Sequence, residues 1–309
     1  MKRAITYILL TGLLFSCFGM HAQQKKKMST LEFGLFLGGA NYMGELTKGI
    51  VPPLKNTGPA LGMLTRFELN PYWSFKASAI YGRISGSDKD YPSDAYRERR
   101  NLSFRSGVFD VSTHLEWNIR GYQSTRSTNA WSPYLFGGLA VFKYNPKTQF
   151  NYDASLSYHS LYPELASQDG DWIELQPLGT EGQETKQFND RKYYSLTQVA
   201  IPFGFGIKAQ LSANWAIGFE MGFRKTFTDY IDDVSKDYVN NQTVRSTHGP
   251  LAGALRDRAG EVGQPLFDDG DVNGAGEARG NDKTKDWYTL TGITITYRIN
   301  GVNDKCFQF

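Results

Sequence analysis

The sequence lacks the motifs of the common catalytic sites. It contains no G-x-S-x-G, no H-E-x-x-H and no P-loop pattern, and only four histidines in 309 residues. After its first segment it has no run of about 18 apolar residues, and its mean hydropathy is −0.45, which excludes membrane-spanning helices. The charge is nearly balanced, with 34 basic and 31 acidic residues. These absences predict a protein that is not an enzyme and has no nucleic-acid partner.

The first 22 residues have the pattern of an export signal. Lys2 and Arg3 precede a largely apolar stretch, and cleavage is predicted after Ala22, which leaves residues 23–309 as one domain. One alternative is a membrane anchor helix, but the apolar stretch falls short of the roughly 20 residues that a span needs. Another is lipid attachment at Cys17. Cleavage would leave 32 basic and 31 acidic residues, a net charge of +1.

Aromatic residues and glycine are abundant, with 18 Tyr, 20 Phe, 6 Trp and 32 Gly. About eight segments alternate apolar with polar or small side chains. This period of two is typical of β-strands whose two faces meet unlike surroundings. The segments are 31–39, 61–69, 73–83, 109–119, 134–144, 198–211, 215–224 and 292–299.

The length and charge of these segments favour a membrane barrel. Several exceed ten residues, close to the roughly 9–11 of a tilted membrane strand and longer than the roughly 5–6 of soluble sheets. Charged side chains on the polar faces can pair across a narrow lumen, whereas in a soluble sandwich they would face water. They are Arg66, Glu68, Lys76, Asp110, Glu116, Lys208, Glu220 and Arg224. The predicted fold is all-β, a transmembrane antiparallel up-and-down β-barrel of eight strands, with ten strands as the alternative.

Short and long connections alternate along the chain. The short ones are 70–72, 120–131 and 212–214, and the long polar ones are 41–58, 86–101, 145–192 and 231–286. This alternation is typical of short periplasmic turns and long extracellular loops, with both termini in the periplasm. Four tryptophans lie beside the short turns, where an aromatic girdle is expected: Trp73, Trp117, Trp131 and Trp215. The predicted location is the cell outer membrane.

One loop has ligand-like spacing for calcium. Asp269, Asp271 and Asn273 alternate, and Glu277 follows at the ninth position, as in the first part of an EF-hand loop. The twelfth position holds Gly280 instead of the usual glutamate, and Asp-Gly and Asn-Gly are also ordinary turn pairs. Calcium binding is therefore a hypothesis beside that of a solvated loop, and no other cofactor is expected.

Two single residues carry further predictions. Cys306 is the one cysteine of the predicted mature chain, and a lone thiol in an exported protein suggests an intermolecular disulfide. We predict a cross-link to a periplasmic partner, with an unpaired or buried thiol as the alternative. His114 stands between Ser112 and Glu116 on a polar face and is expected to be one polar group of a lumen network.

Five segments together carry a family resemblance: FLGGANYMGEL at 36–46, RFELNPYWS at 66–74, PFGFG at 202–206, RKTFTDYIDDVS at 224–235 and DWY at 286–288. They resemble PorG-like outer-membrane proteins of the type IX secretion system, over nearly the whole predicted mature chain. The stretch TDYIDD at 228–233 is the most distinctive part.

The resemblance implies a non-enzymatic component of the type IX protein secretion machinery. Such proteins anchor a periplasmic ring, made of a lipoprotein and a soluble subunit, to the outer membrane, so the implied partners are outer-membrane lipid and these ring proteins. The resemblance implies no site residue. Two alternatives from other classes stay open: a small outer-membrane channel, and a surface adhesion or ligand-binding barrel that acts through loops 145–192 and 231–286.

Overall fold

Eight long antiparallel strands form a closed barrel in the computed structural model, which describes residues 30–47, 54–122, 130–263 and 274–299. In chain order the strands are β1 (Thr30–Met43), β2 (Gly58–Glu68), β3 (Trp73–Ser87), β4 (Ser103–Asn118), β5 (Trp131–Gln149), the short β6 (Trp172–Glu174), β7 (Thr197–Gln210), β8 (Trp215–Thr226) and β9 (Trp287–Ile299). Apart from β6, each strand pairs with its sequence neighbours. The pairing of β1 with β9, from Leu31 opposite Ile299 to Met43 opposite Trp287, closes the barrel.

The apolar faces of the strands point outward. On β1, Phe33 and Leu35 are 46% and 51% exposed, whereas Glu32, which precedes Phe33, is fully buried. The other barrel strands repeat this pattern, so the predicted eight alternating segments and their two faces are confirmed. An apolar exterior and a charged interior are typical of a membrane barrel, because the outer side chains of such a barrel contact lipid and not water.

The four predicted girdle tryptophans lie on the outer surface at one end of the barrel. Trp73, Trp117, Trp131 and Trp215 are each between 40% and 48% exposed. Trp73 is directly opposite Trp117, and the ring of Trp215 meets that of Tyr297 edge-on at 5.1 Å. Amphipathic rings at this height match the boundary between hydrocarbon and water. We refer to this end as the short-turn end.

The long connections meet at the opposite end and fold into one packed unit. We name it the head, and it consists of residues 44–47, 54–57, 88–102, 150–196, 227–263 and 274–286. It contains the helices α1 (Ala95–Arg100), α2 (Ser157–Leu161), α3 (Asn241–His248) and α4 (Pro250–Arg256). The described part of these connections adds only one strand, the three-residue β6, which pairs with the end of β5 outside the barrel pairings. The ten-strand alternative is therefore not realised.

None of the helices in the described ranges is long and apolar enough to cross a membrane.

Two facing glycines make room for a ring inside the barrel. Gly204 on β7 lies opposite Gly222 on β8, and the Phe136 ring from β5 covers both. A Cβ atom added at Gly204 would lie 2.7 Å from this ring, and one at Gly222 would lie 3.0 Å from it. The first distance is shorter than the contacts that Cβ atoms make in proteins and the second is very tight, so side chains at these two positions would force the Phe136 ring to shift.

Candidate functional site

The lumen at the short-turn end is filled by ion-paired side chains. The Glu32 carboxylate accepts hydrogen bonds from Arg66 Nη1 at 2.8 Å and Arg298 Nη2 at 2.9 Å. The Glu116 carboxylate accepts from Arg66 Nε and Lys208 Nζ, each at 2.9 Å. All five side chains are buried. Because charges removed from water are costly unless they are paired, this arrangement requires every partner to be present.

A second group of side chains continues this arrangement toward the middle of the barrel. Lys76 pairs with Glu220 and places Nζ 3.6 Å from Glu116 Oε1, and the Tyr134 hydroxyl donates to Glu220 at 2.8 Å. Each of the eight barrel strands contributes one member to the whole set. We name this set the lumen network: Glu32, Arg66, Lys76, Glu116, Tyr134, Lys208, Glu220 and Arg298.

The charges of the lumen network balance once the neighbouring Glu68 is included. Its four cations face Glu32, Glu116 and Glu220, and a fourth carboxylate, Glu68, lies 3.9 Å from Arg298 at the edge of the lumen. The prediction that polar-face charges pair across a narrow lumen is therefore confirmed. A balanced set of paired charges is well suited to fill a barrel interior and leaves no net field to select ions.

Closer to the head the lumen becomes more aromatic. Asp110 accepts a hydrogen bond from the Tyr288 hydroxyl at 2.7 Å and lies 3.5 Å from Arg224 Nε. The ring of Phe142 packs on that of Tyr288 at 5.1 Å. His114 lies in the lumen as expected and packs against Phe136, but its ring nitrogens have no hydrogen-bond partner among the described residues. His114 therefore lies next to the lumen network but takes no part in its hydrogen bonds among the described residues.

The head is held by a buried arginine. Arg279 places Nη1 3.0 Å from Glu181 Oε1 and Nη2 3.7 Å from Asp233 Oδ2. The same Glu181 carboxylate accepts the backbone N–H groups of Ser235 at 2.9 Å and Lys236 at 3.1 Å. Two long connections are thereby joined at one point: the one between β5 and β7, which contributes Glu181, and the one between β8 and β9, which contributes Asp233 and Arg279.

Asp233 is a buried member of this group. Its carboxylate accepts hydrogen bonds from Thr180 Oγ1 at 2.6 Å and the Tyr194 hydroxyl at 2.7 Å. Burial raises the pKa of Asp233 to about 6, although Arg279 and these two hydroxyls act in the opposite direction. The negative charge of nearby Glu181 adds to the rise. The folded head therefore holds a proton on Asp233 more tightly than the unfolded chain does.

We expect the head to be more stable at about pH 5 than at about pH 7.5. The pKa of Asp233 rises on folding from its ordinary 3.8 to about 6, so the folded head binds more protons over this interval and gains stability as the pH falls. Amide hydrogen exchange of residues 231–236, corrected for intrinsic rates, should be slower at the lower pH. The variant Asp233→Asn should reduce the difference, and faster exchange of the parent chain on acidification would contradict the prediction.

Four carboxyl groups meet where the head joins the barrel. One oxygen each from Glu45, Asp229 and Asp286 lies within 4.8 Å of the other two. The Tyr42 hydroxyl lies 2.7 Å from Asp286 Oδ1 and 2.7 Å from Asp232 Oδ2, but its single hydrogen can serve only one of them at a time. We name Glu45, Asp229, Asp232 and Asp286 the junction cluster. Carboxylate oxygens are the ligands that hard cations prefer, so this is the part of the described chain able to hold a metal ion.

The strand order explains why these acids meet. Glu45 follows β1, Asp229 follows β8 and Asp286 precedes β9, and these three strands are neighbours that end at the same rim. The Asp286 N–H donates to the carbonyl of Thr228 at 3.0 Å, and the Ile231 N–H donates to Asp286 Oδ2 at 2.9 Å. Burial, together with the negative charge of Glu45, raises the pKa of Asp229 to about 7.

Sequence reasoning did not identify the junction cluster. The three acids are separated by up to 241 positions, from Glu45 to Asp286, and no local spacing connects them. The one available signal was the TDYIDD stretch at 228–233, which contains Asp229 and Asp232. In the sequence this stretch indicates a family resemblance, and nothing in its local spacing indicates a ligand site.

The sequence-predicted site residues are only partly described. Asp269, Asp271, Asn273 and Cys306 lie outside the described residues, as does the predicted export signal. Glu277 is described, and its carboxylate pairs with Arg99 at 3.3 Å on the surface of the head. Its backbone carbonyl accepts the Tyr238 N–H at 2.8 Å. The calcium loop and the cysteine cross-link stay predictions.

A family model described as a domain of unknown function, DUF6089, matches residues 9–161 and 180–251. None of the curated protein sequences matches the chain. Solved structures similar to it include the attachment invasion locus protein Ail of Yersinia pestis, with 9% identity, 89% of this chain and 100% of that chain covered, and a TM-score of 0.35. Another is Neisserial surface protein A, with 6% identity, coverage of 90% and 100%, and a TM-score of 0.36. A third is OprG of Pseudomonas aeruginosa, with 9% identity, coverage of 90% and 99%, and a TM-score of 0.31.

Proposed function

This chain belongs to the DUF6089 family, whose model matches more than half of it, and from that premise we propose that it is a non-enzymatic outer-membrane component of the type IX protein secretion machinery. In this role it anchors a periplasmic ring, built from a lipoprotein and a soluble subunit, to the outer membrane. The filled lumen is the observation that carries the proposal, together with the PorG-like segments of the sequence. A barrel whose interior is occupied by paired side chains acts through its two ends and not through a pore.

The short-turn end is the surface that we assign to the ring proteins. In outer-membrane barrels short turns face the periplasm and long loops face the exterior. The outward tryptophans hold this end at the membrane boundary, and the turn between β2 and β3 presents Tyr72, which is 53% exposed. The last described residue of β9, Ile299, lies at this end, and Cys306 follows it in the sequence. We propose that the Cys306 thiol forms a disulfide with a periplasmic partner.

Site-specific cross-linking in cells tests this assignment. A photoreactive residue at Tyr72 should capture the periplasmic lipoprotein or the soluble subunit, identified by mass spectrometry. The matched control is the same residue at Leu161, which is 67% exposed in the head and should capture neither. A reductant-sensitive adduct that disappears in Cys306→Ser would support the cysteine cross-link. Recovery of the barrel alone from both positions would remove the scaffold role.

A second candidate is a surface adhesion or ligand-binding barrel, favoured by the ordered head. The long connections form a packed unit with two open clefts of about 470 and 320 Å³, instead of extended polar loops. Under this reading, cross-links from Leu161 would recover a surface ligand, and Tyr72 would recover nothing. Shortening 145–192 and 231–286 would abolish function while the periplasmic partners stayed bound.

We expect the purified barrel to show no stepwise conductance in planar lipid bilayers. The lumen network takes a side chain from every barrel strand, and we expect these side chains to block a continuous path for water and ions. A porin reconstituted in the same way is the positive control. Stable single-channel currents from the folded chain would instead favour the channel alternative.

A further inference from the structure

We propose that the junction cluster binds one divalent cation of the calcium type through Glu45, Asp229 and Asp286. One oxygen from each residue lies within 4.8 Å of the others. Two ligands on a single Ca²⁺, each about 2.3–2.6 Å from the ion, lie at most about 5 Å apart, so the spacing is compatible with a shared ion. The donors are all carboxylate oxygens, which suits a hard cation and not a soft transition metal.

An orphaned buried oxygen independently points to a ligand at this position. The Asp229 side chain is only 3% exposed, and its Oδ2 accepts a hydrogen bond from Ser235 Oγ at 2.8 Å. Its Oδ1 has no hydrogen-bond partner among the described residues, and Glu45 Oε1 has none either. Buried carboxylate oxygens without donors are costly, and a bound cation satisfies both of them at once.

The charges around the cluster leave it uncompensated. Among the ion pairs of the described ranges, none includes Glu45, Asp229 or Asp286. Arg100 donates to Asp88 at 2.7 Å and to the backbone carbonyl of Glu45 at 3.3 Å, and Lys285 Nζ donates to the Asp282 carbonyl at 2.8 Å. Within the described part of the chain, neither side chain forms an ion pair with a carboxylate of the cluster. A divalent ion would supply the positive charge that the protein itself does not place there.

An ion can reach the cluster from solvent. Glu45 lines the larger of the two clefts in the head, and Asp229 lines the smaller one. Lys285 lines both clefts. Two of the three proposed ligands therefore border a cleft that is open to solvent, and binding requires no opening of the barrel. The proposal rests on the head alone and does not depend on the proposed role in secretion.

Calorimetric titration of the folded full chain in detergent with CaCl₂ tests the proposal. We expect one saturable site with a dissociation constant of about 10⁻⁴–10⁻³ M, as in extracellular calcium-binding modules. The variant Asp229→Asn keeps the acceptor for Ser235 but loses the charge, and should weaken binding at least about tenfold. Calcium should also slow amide exchange in 228–232 and 284–287 of the parent chain but not of the variant.

A matched variant separates this site from the loop that the sequence predicts. Asp271→Asn removes a carboxylate of the predicted EF-hand-like loop and should leave the affinity unchanged. Loss of binding in Asp271→Asn with retention in Asp229→Asn would overturn the proposal and place calcium in that loop. Absence of saturable binding up to about 10 mM CaCl₂ would also overturn it. If Asp229→Asn does not fold, Glu45→Gln at the half-buried edge of the cluster serves instead, with the same expectation.

Discussion

Replacing Glu116 by glutamine should destabilise the barrel by about 3–5 kcal/mol, the cost of removing one partner from a buried ion pair. Glu116 accepts hydrogen bonds from Arg66 and Lys208, each at 2.9 Å, and lies 3.6 Å from Lys76. Glutamine preserves the shape of the side chain but leaves these three cations with less negative charge in the lumen. The expected result is a lower urea concentration at the unfolding midpoint in lipid vesicles. The folded and unfolded forms are distinguished by their mobility on a gel.

The matched control is Glu174→Gln in β6. Its carboxylate pairs with Lys147 at 2.8 Å, but both side chains are more than one third exposed. Exposed pairs contribute about 0–1 kcal/mol, so this variant should unfold close to the parent. Equal midpoints for the two variants would mean that the lumen network does not stabilise the barrel.

Replacing Arg279 by glutamine should loosen the head and leave the barrel folded. Arg279 is the cation between Glu181 and Asp233, and its removal leaves two buried carboxylates without a positive partner. The expected loss of stability is again about 3–5 kcal/mol, but it concerns the unfolding of the head and not that of the barrel. Amide exchange in 180–194 and 231–236 should accelerate strongly, while exchange in the barrel strands stays at the parent rate.

Lys192→Gln is the control for this second prediction. Lys192 and Glu184 form an ion pair of the same head at 3.3 Å, with side chains 65% and 42% exposed. Its loss should change exchange little, because water replaces the interaction. If the barrel strands of Arg279→Gln exchanged as fast as its head, the head and the barrel would unfold as one unit and the local role of Arg279 would be wrong.

The strands were predictable because their signal is local. In β1, Phe33 and Leu35 alternate with Glu32 and Gly34, and this period of two identifies a strand whatever it pairs with. Sequence-adjacent pairing then followed from the short turns, and the girdle tryptophans followed from their position beside those turns. The polar faces were correctly assigned to a lumen because they carry both signs of charge.

The partners inside the lumen were not predictable. Glu116 lies on β4, and of its cations Lys76 comes from the adjacent β3, whereas Arg66 on β2 and Lys208 on β7 come from strands two places away on either side. These two side chains reach Glu116 because the sheet curves into a barrel. The packing of the head was likewise not predictable, because the sequence shows only long polar connections there. Its core includes Ile231 and Val234, apolar residues too sparse along the chain to indicate a packed unit.

The sequence by itself determined the all-β barrel, its two faces and its eight strands, because the alternation of apolar and polar side chains is a local property of each strand. Only the tertiary structure decided which charges pair, how the loops pack and where acids accumulate. Glu45, Asp229 and Asp286 meet because β1, β8 and β9 end side by side, and that neighbourhood arises from barrel closure. Local patterns carry information about faces, whereas contacts between distant residues depend on the closed geometry of the whole chain.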